Sequence, residues 1–75
     1  MTKEDKIEIL TESIIDKMTE YLIEDFQLNI PSAMNVIYNS LTLELLQNKN
    51  TDLYARSPGY VYYILKNEYQ TGKMP

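Results

Sequence analysis

From residue 7 onward, apolar residues return every three or four positions. Ile7, Leu10, Ile14, Met18 and Tyr21 form one stripe, and Ile15, Leu22 and Phe26 widen it. At 100° per residue these positions fill a little under half of a helical circumference, which is a core-facing stripe. No Gly or Pro interrupts residues 2–30. Thr2, followed by Glu4 and Asp5, supplies an N-cap hydroxyl and two carboxylates for the positive end of a helix dipole. The pattern predicts a helix from about residue 3 to residue 26. Gln27-Leu28-Asn29-Ile30-Pro31 ends it, because the residue before a proline is pushed out of the helical region. Pro31 suits the first turn of a new helix, with Asn29 or Ile30 near its cap and Ala33, Val36 and Ile37 inward, running to about Asn39. One helix through 31–47 would be apolar all round. Ser40 is better placed as the N-cap of a third, short helix, Leu41 to Gln47, which carries Leu41, Leu43, Leu45 and Leu46.

Asn48-Lys49-Asn50-Thr51-Asp52 has the composition of a polar loop. Leu53 and Tyr54 are expected to anchor that loop on the core. Ser57-Pro58 is a cap followed by a first-turn proline, and Thr71-Gly72 is a stop signal, so a last helix is predicted over about 58–70. Val61, Ile64 and Leu65 mark its inward side, bordered by Tyr60 and Tyr69. Tyr62 and Tyr63 are expected to point elsewhere. Met74 and Pro75 are expected to fray. The fold expected is all-α, one domain over residues 1–75, with a long first helix, a short bent middle and a Tyr-rich last helix.

Composition adds constraints. Seventy-five residues form one small domain, and its core has little stability to spare. With no Cys and no His, disulfides and ordinary zinc sites are excluded. No apolar run is long enough to span a bilayer, and the polar start does not resemble a signal peptide. A cytoplasmic location is the expectation. The net charge of −4 is concentrated: residues 1–26 hold eight acids and three lysines, a net of −5. Glu8, Glu12, Asp16, Glu20 and Glu24 follow one another every four residues, and like charges at that spacing repel within a helix. Ile9 and Ile23 fall on this acidic side. The plain reading is a solvated face with two stray apolar residues; the sharper one is a surface for a basic partner. A metal site from these carboxylates alone is unfavourable, since one ridge cannot wrap a cation.

Candidate chemistry is sparse. There is no nucleophile with a base, no phosphate-binding Gly-rich loop and no pair of carboxyls across a cleft. No enzymatic activity and no cofactor is expected. Residues 21–37 have a helix-turn-helix look, but the second helix would carry no Lys or Arg to grip phosphates. Nucleic-acid binding is the alternative, less favoured reading. Three of the four residues at 60–63 are tyrosines, the residue type found at interface centres. A protein partner or self-association is therefore expected, with Tyr54, Arg56, Tyr62, Tyr63, Ile9 and Ile23 as candidate contacts. Arg56, the single arginine, is suited to a bidentate carboxylate pair.

Tyr21-Leu22-Ile23-Glu24-Asp25-Phe26, Ile30-Pro31-Ser32-Ala33, Val36-Ile37-Tyr38-Asn39-Ser40 and Leu53-Tyr54-Ala55-Arg56-Ser57-Pro58-Gly59-Tyr60-Val61-Tyr62 resemble a small all-helical bacterial family of the domain-of-unknown-function kind. Some such families are encoded beside toxin-like genes. The resemblance, over about residues 21–66, implies an antitoxin-like or regulatory role and names no functional residues.

Overall fold

The computed structural model describes residues 2–72, so the expected fraying of Met74 and Pro75 lies outside the described residues. Among the described residues there are four α-helices and no strand: α1 (Lys3–Phe26), α2 (Ile30–Tyr38), α3 (Leu41–Gln47) and α4 (Pro58–Thr71). Two 3-10 turns, Lys49–Thr51 and Leu53–Ala55, join α3 to α4. The fold is all-α, as the periodicity predicts.

Each helix starts where a short polar side chain can accept from a free backbone N–H. Thr2 Oγ1 accepts from Asp5 N at 3.2 Å, and the Asp5 carboxylate accepts in return from Thr2 N at 3.3 Å, which closes a capping box. Asn29 Oδ1 accepts from Ser32 N at 2.9 Å, and Ser57 Oγ from Tyr60 N at 3.2 Å. Ser40 Oγ accepts from Leu43 N and donates to Ile37 O, so one hydroxyl ends α2 and begins α3. The helix stops are also local. Gly72 takes a left-handed φ of 75° and donates to Glu68 O. Gln27 adopts φ 54° at the end of α1, a conformation that costs a residue with a Cβ.

α1 is the spine. α2 and α4 pack along it, and α3 bridges α4 and the second 3-10 turn. The core joins Ile14, Ile15, Met18 and Leu22 of α1 to Ala33 and Ile37 of α2, Leu43 and Leu46 of α3, Leu53, and Val61, Tyr62 and Leu65 of α4. At 1.5 Å per residue, α1 is about 36 Å long, against roughly 21 Å for α4 and 14 Å for α2. Its partners therefore cover only part of it, and most of the first two turns is exposed. This corrects the stripe read from sequence: Leu10 is 45% exposed, and the inward face begins at Thr11.

Candidate functional site

Three surface features stand out, and each can be built from the residues upward. The first is an apolar ridge on α2. Ile30, Met34 and Tyr38 recur every four residues and so lie one above the other. All three are exposed, Ile30 by 60% and Tyr38 by 55%, and Leu41 is exposed just beyond. The neighbouring face of α2 buries Ala33 and Ile37. No charged residue occurs between Gln27 and Leu43.

The second feature is the outer side of α4. Tyr63 is 59% exposed and Tyr60 49%. The Arg56 guanidinium lies 5.6 Å from the Tyr60 ring centroid, within cation–π range. Among the described residues no carboxylate stands in ion-pair distance of Arg56, so the expected carboxylate pair is not made within the fold.

The third is a groove of about 310 Å³ beside the start of α1. Ile7, Thr11 and Ile15 form its base, spaced by four along α1, with Glu4, Glu8 and Glu12 as the adjacent rim. Tyr38, Gln47 and Lys49 make the opposite wall. Lys49 Nζ reaches across to Glu4 Oε1 at 2.9 Å and closes one end. That hydrogen bond, with the lysine's charge, holds the Glu4 carboxyl below the usual range. Among the described residues no cation pairs with Glu8 or Glu12.

Several contacts anticipated from sequence move. Tyr62 is a core residue, not a surface one. Helical spacing puts it near Leu65, and its ring is tilted against Tyr21 with centroids 5.0 Å apart. Its hydroxyl donates to Asp25 Oδ2 at 2.6 Å, satisfying the polar end of a buried ring. Burial, and then the bond to Asp25, push the Tyr62 phenol up from its ordinary pKa. The Tyr62 bond holds the Asp25 carboxyl below its ordinary value; burial opposes this, and Lys66 at 3.5 Å adds to the lowering. Ile23 is half-buried against the core, next to Phe26 at the edge of the stripe. Tyr54 is half-buried against the core and anchors the loop as expected. Ile9 is half exposed near the start of α1. Of the six candidate contacts, Tyr63, Arg56 and Ile9 are exposed, Tyr54 and Ile23 are half-buried and Tyr62 is buried.

Sequence reasoning passed over Glu68. Its carboxylate accepts from Leu41 N at 2.8 Å, Thr42 N at 3.0 Å and Thr42 Oγ1 at 2.7 Å, and so caps α3 from another helix. Burial raises its pKa, but the bonds from Thr42 and Leu41 outweigh that, and the carboxyl titrates below its ordinary value. The signal was available: Glu68 falls on the inward arc of α4, three residues past Leu65. Asp25 and Thr11 similarly occupy apolar-stripe positions of α1. A polar group on a core stripe needs a partner, and two of these three find one inside the fold.

Among the described residues no group of three carboxylates is arranged to hold a metal ion. No helix among them is long and apolar enough to cross a membrane. Neither a protein-family model, nor a curated protein, nor a solved structure matches the chain.

Proposed function

We propose that the protein is a non-enzymatic protein-interaction module, antitoxin-like or regulatory, that works by self-association or by holding a partner chain. The observation that carries this reading is the uncharged ridge Ile30, Met34 and Tyr38 on α2, continued by Leu41. Scattered exposed apolar residues are ordinary. Here three large ones lie in a row on one short helix, with a fourth at the start of the next, and contiguous apolar surface of this kind marks contact sites. The charge distribution agrees. A chain with net charge −4 meets another most readily where its own surface carries none. The two carboxylates best placed by the fold, Asp25 and Glu68, are committed to Tyr62 and to the start of α3, which leaves them no part in a reaction. The nucleic-acid alternative gains nothing, since α2 lacks Lys and Arg.

Sedimentation velocity across a wide concentration range, with crosslinking in cells, tests the reading. Concentration-dependent association or a specific crosslinked partner is expected, and Met34→Glu should abolish it while far-UV circular dichroism stays unchanged. A strict monomer at high concentration with no crosslinked partner, or association indifferent to Met34→Glu, would overturn it.

A further inference from the structure

We infer that the groove beside the start of α1 is a docking site for a basic amphipathic segment of a partner protein, carrying two cationic side chains one helical turn apart. This rests on the reading of the protein as an interaction module and names the chemistry of the partner. Three independent features of the groove agree. The rim carries Glu4, Glu8 and Glu12 at successive turns, and the last two have no cation among the described residues. Lys49 already fills the first position, 2.9 Å from Glu4, and shows the geometry in which this rim takes an ammonium group.

The second feature is Thr11. It is 8% exposed, it lines the groove, and its hydroxyl makes no hydrogen bond among the described residues. Among the described residues no buried side-chain oxygen lacks both a partner and access to solvent, so this hydroxyl opens on the groove. An unpartnered hydroxyl on the apolar stripe of α1 is a recognition group in waiting, able to donate to a backbone carbonyl or accept from an N–H. The third feature is the apolar lining: half-buried Ile7, with the Tyr38 ring opposite, takes the apolar side of the segment. Glu8 and Glu12 are about 6 Å apart on the helix surface, the separation of two lysines at i and i+4. Nucleic acid is excluded by the sign of the rim, and the rim carboxylates are not arranged as a metal site.

The test uses the full chain and a fluorescently labelled helical peptide with two lysines four residues apart and leucines between them. An isomer with adjacent lysines is the comparison. Anisotropy at low salt should show saturable binding of the first peptide that weakens as salt rises. Glu8→Gln/Glu12→Gln should weaken it about tenfold, and Thr11→Val by roughly threefold. Glu20→Gln/Glu24→Gln removes the same charge farther along α1 and should change affinity less than about twofold. Circular dichroism establishes that each variant is folded. Equal losses in the two double variants, equal binding of the isomer, or no saturable binding would overturn the inference. Tyr38 belongs to both the groove wall and the α2 ridge, so sedimentation of Met34→Glu, which lies outside the groove lining, reads association through α2 separately.

Discussion

Glu68→Ala should be among the most damaging single changes outside the apolar core. Glu68 serves two backbone N–H groups and the Thr42 hydroxyl at 2.7–3.0 Å. Losing an N-cap acceptor costs about 0.5–2 kcal/mol, and a hydrogen bond to a charged group contributes about 1.5–3 kcal/mol. Leu41 is exposed, so water takes over one of the three bonds. The net expectation is a loss of roughly 2–3 kcal/mol. At about 0.05–0.15 kcal/mol per residue the whole domain holds roughly 4–11 kcal/mol. The loss corresponds to a fall in Tm of roughly 10–20 °C for a domain of this size. Glu68→Gln keeps the shape and one neutral acceptor and should cost about 1 kcal/mol. Urea melts followed by circular dichroism supply the values. The pH dependence isolates the charge. The folded pKa lies below the ordinary 4.5, so the contribution is complete above that value and is lost as pH falls through the folded pKa. Wild type and Glu68→Gln should therefore differ at pH 7 and converge toward pH 3. A constant gap between them, or Glu68→Ala within about 0.5 kcal/mol of wild type, would refute the capping role.

Tyr62→Phe should cost about 1–2 kcal/mol in the same melts, since it strips a hydrogen bond to a charged acceptor while keeping the ring. Tyr63→Ser, one residue on, should stay within about 0.5 kcal/mol because its side chain faces solvent. Met18→Ala, at a fully buried position, should cost about 2–5 kcal/mol and leave the domain partly unfolded at 37 °C. Gln27→Gly should raise stability by roughly 0.5–1 kcal/mol, by relieving a left-handed residue that carries a Cβ.

Helix boundaries were readable because their causes are local. Thr2, Asn29, Ser40 and Ser57 each cap within three residues of themselves, and the three- and four-residue spacing of Ile14, Met18 and Leu22 needs no partner to be recognised. The errors have one origin: they depend on where another helix lies. Leu10 belongs to the stripe by spacing, yet its side of α1 is left exposed by the neighbouring elements. Tyr62 and Tyr63 differ by a single 100° step, and Asp25, 37 residues away, supplies the hydroxyl partner that suits one of them to the interior. Glu68 reads as an ordinary surface acid until α3 is set against α4. The groove has the same character: the acidic ridge is visible along α1, but Tyr38 and Lys49, which turn part of it into an enclosure, arrive from distant stretches of chain. Thr11 was hidden by its neighbours, because a lone threonine within an apolar stripe barely disturbs the periodicity.

The cap on α3 also sets an order of events during synthesis. Seven residues are too few for a helix to persist by itself, and the group that joins Ser40 in holding the start of α3 lies 27 positions downstream of Leu41. A ribosome releases α1 and α2, neighbours in sequence and in space, well before it releases Glu68. Until then Leu43 and Leu46 have neither a stable helix beneath them nor α4 to lie against. The middle of the chain is thus the last part to become ordered, although it is not the last to be made. A chain cut short before residue 68 would keep its spine and lose its centre, so the chain must emerge as far as Glu68 before the domain can close.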